Sequence, residues 1–308
     1  MEDQTAPTKG QLGEVGKLAE GVAKELGLSR DLFQIRILGQ GGKIKKCFDE
    51  VLREFSLPIN PYEGEQTEQV WFYPKGLEVP SLEIQAGRIK KAYGIELTWP
   101  DQAQNLLVPS ADGIGLWPTL SVLGKHWSIA DPYRGGYSEI ILAVCDAINQ
   151  SPDMASLNNY CKGKLDARYV RIHAEVLEMI EVLEKEAEKK GHNCLVMPVN
   201  LGDWKNGTCY SPRNARWQCL NLPPKRLPIE TVAGWSLLTG IRERLTASVQ
   251  LNCDFAGVEY DWDASGSWSG SLYAGFEGDE FEFRVGAYNA GDICNALFGF
   301  PGALELAA

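Results

Sequence analysis

Asp166-Ala-Arg-Tyr-Val-Arg-Ile-His-Ala-Glu-Val-Leu-Glu-Met-Ile-Glu-Val-Leu-Glu-Lys-Glu-Ala-Glu-Lys-Lys190 is the stretch from which the fold of this chain is read. Ile172, Val176, Met179, Ile180 and Leu183 fall at helical spacing, so the pattern predicts a helix over 166–190. Asp166 is a candidate N-cap, and Gly191 supplies a stop. Glu178, Glu181, Glu184 and Glu188 fall on the helix's other face. Lys189 and Lys190 close the helix where the dipole favours cations. Just beyond, the apolar run Cys194–Val199 reads as a buried strand, placed near a sheet edge by Pro198.

The pattern changes character on both sides of this stretch. Val258-Glu-Tyr-Asp-Trp-Asp263 and Phe281-Glu-Phe-Arg-Val285 alternate, with Leu272–Phe276 between them. An antiparallel meander is therefore expected over 247–288, with a short helix near 290–298. Upstream, helices are expected over 10–26, stopped by Gly27, over 43–55, and from a cap at Ser138. Residues 29–38 fit a capped helix or a strand. Recurrent Pro, Gly and Trp over 60–135 suggest short strands and ordered loops, as does a loop-like stretch over 200–228. A helix over 230–246 follows. The expected class is α+β, preferably one compact unit over 1–308, with 1–60 as a separable helical region before a 61–308 body.

With 44% hydrophobic and 23% charged residues, 308 residues suffice for a core without disulfides or structural metal. No apolar stretch reaches the roughly 18 residues of a membrane span, so no membrane partner is expected. The polar start Met1-Glu-Asp-Gln-Thr-Ala-Pro lacks a signal-peptide pattern, which suggests a cytoplasmic protein, or one of the host cytoplasm or virion if the gene is viral. The eight cysteines contain no Cys-x-x-Cys pair, and the three histidines are dispersed. The thiols are read as reduced, and no metal or cofactor is expected.

Charge is unevenly placed. The net −11 combines a balanced 1–60 with a 248–308 region holding ten acidic residues and Arg284 as its one base. A basic, aromatic stretch lies just upstream: Trp204, Lys205, Tyr210, Arg213, Arg216, Trp217, Lys225 and Arg226. Acidic and basic segments of this kind meet within one molecule, remain separate solvated faces, or join copies head to tail.

Gln40-Gly-Gly-Lys-Ile-Lys-Lys-Cys-Phe48 is echoed by Gln85-Ala-Gly-Arg-Ile-Lys-Lys-Ala-Tyr93. A glycine turn feeding a lysine-rich helix start suits an anion, which makes Lys43, Lys45, Lys46, Arg88, Lys90 and Lys91 candidates. Lys205, Arg213, Arg216 and Trp217 extend the set toward single-stranded nucleic acid, whose bases stack on aromatic rings. The spacing is neither a P-loop nor a dinucleotide fingerprint.

Glu259, Asp261 and Asp263 share one face of the expected strand. Such carboxylates suit a divalent cation or an acid–base pair acting on a polymer, with Trp262, Trp268 and Tyr273 as a sugar-binding surface. His126, near Asp131, is the best-placed histidine for proton transfer. No Gly-x-Ser-x-Gly motif is present. The leading expectation is a non-enzymatic structural protein that assembles with copies of itself, as capsid or nucleocapsid proteins do. A carboxylate- or metal-dependent hydrolase and a single-stranded nucleic-acid-binding protein are the alternatives.

Overall fold

A computed structural model describes residues 17, 21, 24, 25, 27, 58–67, 78–103, 111–152, 154, 157–161, 163–201, 209–243, 250–277, 282–291 and 298–299. By its internal contacts the chain divides into two units, residues 1–58 and 59–308. In the first, Lys17, Gly21, Lys24 and Glu25 are helical, and Gly27 turns out of the helix at φ 65° with its N–H on the Lys24 carbonyl. The sequence-based expectations for 29–38 and 43–55 lie outside the described residues.

The second unit is α+β. Helices α1 (Leu82–Tyr93), α2 (Leu120–Trp127), α3 (Tyr137–Gln150), α4 (Ala174–Lys189), α5 (Pro212–Asn221) and α6 (Thr231–Gly240) accompany two sheets. The first sheet has the order β2 (Gly113–Pro118), β5 (Cys194–Asn200), β12 (Phe298–Gly299), β7 (Leu227–Pro228), all antiparallel. The second runs β3 (Leu157–Asn159), β11 (Glu282–Asn289), β10 (Gly270–Glu277), β9 (Val258–Tyr260), β4 (Val170–Ile172). There β8 (Gln250–Asp254) also pairs β10, and β3–β11 is the parallel pair. A small ladder joins β1 (Gln66–Thr67) to β6 (Cys209–Tyr210).

Helix α6 lies at the centre. Every one of its ten residues is buried, and it packs on α1, α3, β2 and β10, so it touches both sheets. Its hydroxyls return to the backbone: Ser236 Oγ donates to Val232 O at 2.8 Å and Thr239 Oγ1 to Trp235 O at 2.8 Å. Glycines permit the close approaches. A Cβ on Gly115 of β2 would stand 2.4 Å from Leu237, and one on Gly234 would stand 2.1 Å from the Phe255 ring. Gln85, wholly buried on α1, binds the same region together: its amide donates to Pro80 O and Ile114 O at 2.8 Å and accepts from Leu116 N–H at 3.1 Å. Gln85→Leu is expected to cost about 1–3 kcal/mol for each backbone group left without a partner, measured as a lower urea midpoint.

The meander is borne out by the β10–β11 hairpin, registered from Gly270↔Asn289 to Glu277↔Glu282, with β8 and β9 on the other side of β10. Other expectations need correction. The 166–190 helix begins only at Ala174, because β9 recruits Val170–Ile172 as a strand and His173 N–H bonds Gly257 O. Asp166 instead closes a turn, accepting from the Arg168 N–H. The third helix starts from Gly136, not Ser138. The 60–135 region holds two helices, α1 and α2, the latter capped by Thr119 through Val122 N–H. Strand β5 is interior, because the described residues of β12 reach Asn200 and Val199, just past Pro198. The 200–228 stretch holds β6, α5 and β7. The alternating Val258–Asp263 strand ends at Tyr260. The short helix expected near 290–298 falls mostly on residues 292–297, which lie outside the described residues, with a turn at 290–291 before them and a strand at 298–299 after.

Candidate functional site

Arg171 on β4 and Glu259 on β9 face each other in register, and the guanidinium Nε donates to Glu259 Oε2 at 2.8 Å. From α5, the buried Arg216 reaches the same carboxylate at 3.7 Å and donates to the Ala256 and Val258 carbonyls at 3.3 and 3.1 Å. His173, at the start of α4, shares this environment, and its Nδ1 is buried without a hydrogen-bond partner. Burial, then the Arg216 charge, holds His173 below the ordinary histidine value, so the neutral ring is favoured. Arg216 is likewise lowered by burial, with Glu259 opposing. The basic 204–226 stretch and the acidic C-terminal region therefore meet within one molecule at Arg216 and Glu259.

Next to this cluster the chain turns around Asp261. Its carboxylate has no exposed surface and accepts from Gly266 N–H at 2.5 Å, with Asp263 N–H and Ser267 Oγ at 3.4 Å. Ala264 and Trp268 hold positive φ values of 58° and 46°, which L-residues seldom adopt and which the surrounding contacts must enforce. The turn presents Trp262, 39% exposed and edge-on to Tyr260, and Trp268, whose ring lies 4.0 Å under the Arg171 guanidinium. Lys164 Nζ donates to Trp262 O at 3.0 Å, and Asp261 N–H to Tyr169 O at 2.8 Å. Tyr160 is 60% exposed and precedes Cys161, whose side chain is hydrogen-bonded to Tyr260. Arg168 lies 5.4 Å over the Tyr169 ring while pairing with Asp166. This end of the second sheet is an aromatic surface with interspersed, mutually balanced charges.

The sequence candidates are scattered by comparison. Of the three carboxylates, Glu259 is held by Arg171 and Arg216, whereas Asp261, a buried turn hub, meets the side chain of the exposed Asp263, so two of the three come together and the third does not join them. Their single face is lost because the strand stops at Tyr260. His126 lies exposed in the last turn of α2 with its ring against Trp127. The repeat at 85–93 is the body of α1, which corrects the expected glycine turn: Gly87 is helical and the lysines sit in the last turn, not the first. Arg88 binds both Glu243 carboxylate oxygens at 2.8 Å, Lys90 pairs with Glu96 at 3.0 Å, and Lys91 is exposed. Arg213 is engaged by Glu65 and lies over Tyr62, while Trp217 is half-buried on α5. Lys43, Lys45, Lys46 and Lys205 lie outside the described residues.

Sequence reasoning passed over Arg171, His173, Lys164, Arg168, Tyr160 and Tyr169. The signal was present: Tyr160-Cys-Lys-Gly-Lys-Leu-Asp-Ala-Arg-Tyr-Val-Arg171 interleaves bases with aromatics as 204–226 does. Among the described residues no group of three or more His, Cys, Asp or Glu side chains is arranged to hold a metal ion, and no helix is long and apolar enough to cross a membrane. No family model, curated protein or solved structure matches this chain.

Proposed function

We propose that this chain is a non-catalytic assembly protein that associates with copies of itself through the Tyr160, Trp262, Arg168 and Arg171 end of its second sheet. The observation that carries the reading is the Asp261 turn, which presents the exposed Trp262 and seats Trp268 against the Arg171 guanidinium. Trp, Tyr and Arg dominate the energetics of protein association, and a pre-ordered turn reduces the entropy lost on docking. The Arg216–Glu259 contact shifts the expected driving force. With this basic–acidic pair already joined inside the chain, association is expected to rest on aromatic burial more than on head-to-tail charge.

Light scattering should therefore find an oligomer that persists into molar salt, and Trp262→Ser with Tyr160→Ser should reduce it to monomer. A wild-type chain that is monomeric at every concentration would remove the proposal.

A single strand of nucleic acid is the competing occupant, because bases stack on the same rings. Against it stand the net charge of −11 and the use of Arg88, Arg213 and Arg216 in internal pairs. Nucleic acid that copurifies and is released steeply by salt would favour that reading instead. A carboxylate hydrolase draws less support, since Glu259 and Asp261 are committed to holding the fold.

A further inference from the structure

Two glutamates lie inside the second unit, each at the start of a helix. Glu184 extends from α4 to the first turn of α2, where its oxygens accept from Leu120 N–H at 2.7 Å and Ser121 N–H at 3.3 Å. Glu230 caps its own helix α6, accepting from Val232 and Ala233 N–H at 2.6 Å. Each carboxylate also takes a phenol from one short stretch of chain. Tyr133 donates to Glu184 at 2.7 Å and Tyr137 donates to Glu230. Tyr137 in turn accepts from Thr231 N–H at 3.1 Å. The segment 131–137, which joins α2 to α3, is thus hooked at both ends to buried acids that cap two different helices.

We propose that Glu184 and Glu230 form a proton-responsive latch, which grips the 131–137 segment and the starts of α2 and α6 more firmly when a proton is bound than when both acids are charged.

The geometry supplies the reason. Both side chains are only 3% exposed, and among the described residues neither has a cation bonded to it; their donors are neutral N–H and O–H groups. Around Glu184 the charged neighbours are Glu181, paired with Arg134 of the hooked segment, and Glu188, paired with Lys125 of α2. Glu230 bears on Glu184 as a like charge, and Tyr93 of α1 and Tyr137 of α3 are the titratable groups facing Glu230. A protonated carboxyl keeps acceptor capacity for its present donors while shedding the cost of a dry charge.

Burial, opposed by these hydrogen bonds, raises both glutamates to about 7 from an ordinary 4.5. Between those values the folded chain holds more protons than the unfolded one. Stability from this source is present at low pH and is lost as pH rises through about 7. His173, held low by burial, contributes the opposite slope, so the two effects are separable by substitution.

Urea unfolding from about pH 5 to about pH 8 tests the latch on the full chain. With both glutamates contributing, the folding constant is expected to fall on the order of a thousandfold across that range. Glu184→Gln with Glu230→Gln, which mimics the protonated pair, should abolish the fall. A wild-type folding constant that holds steady or rises with pH, or a fall that survives in the double variant, would overturn the proposal. Should the variant not fold, infrared titration of the native chain decides: a protonated-carboxyl band present near pH 6 and lost above pH 8 supports the latch, and its absence refutes it.

Discussion

Gly234→Ala is expected to destabilise the second unit by about 3 kcal/mol or more, although alanine is the better helix former by roughly 1 kcal/mol. The added methyl would stand 2.1 Å from Phe255 Cε1 and 2.5 Å from Cδ1, far inside contact distance. Phe255 has nowhere to go: it has no exposed surface, and its ring already packs on Trp235 with centroids 6.2 Å apart. Helix α6 cannot withdraw freely either, because all ten of its residues are buried and it packs on α1, α3 and β2 as well. The check is thermal and urea unfolding of Gly234→Ala beside the double variant Gly234→Ala with Phe255→Leu. Removing part of the ring should return much of the lost stability. An alanine variant as stable as the wild type would show that the helix is not seated as described.

The second large effect is expected at Arg216. Its guanidinium is buried, satisfies two carbonyls of the β8–β9 connection and strand β9, and faces Glu259. Breaking a buried pair from one side typically costs about 3–5 kcal/mol, because the partner remains charged and dry. For Arg216→Met the loss should lie at the lower end of that range, since Arg171 still holds Glu259 at 2.8 Å. Combining Arg216→Met with Glu259→Gln should cost less than the sum of the two single changes, a coupling that a double-mutant cycle reads directly. Strict additivity would mean that Arg216 acts only through the carbonyls.

Both residues show what the sequence could and could not convey. Arg216 was readable as part of a basic, aromatic run, yet its neighbours in sequence do not reveal that it turns inward. The helix that positions it carries a start signal that was overlooked: Ser211 caps Asn214 N–H, with Pro212 at the first helical position. The long helix at 174–189 was legible from its spacing, but its start was not, since Val170-Arg-Ile172 fits a strand equally well and only β9 decides the matter. Glu184 falls on the helix face opposite the apolar residues, and the sequence carries no sign that it is buried there. Periodicity fixes which side of a helix a residue occupies, whereas the burial of Glu184 depends on α2 and Tyr133 arriving from elsewhere. The meander was legible because alternation in β10 and β11 is a local property. The turn around Asp261 was not, because a further strand residue and a turn hub look alike until the strand stops.

The first sheet carries a consequence for how the molecule is made. Phe298 pairs with both Asn200 and Pro228, and Gly299 with Val199 and Leu227, so β12 is the strip that joins β5 to β7. During synthesis β2 and β5 can meet early, but that join must wait until residues 298–299 have left the ribosome, long after β5 has. Pairings of such long sequence separation are slow to form and expose strand edges in the interval. The emerging chain therefore passes through a stage in which an open β5 edge is available to neighbours, and a chaperone or a partner chain acting then would influence the yield of folded protein more than one acting later.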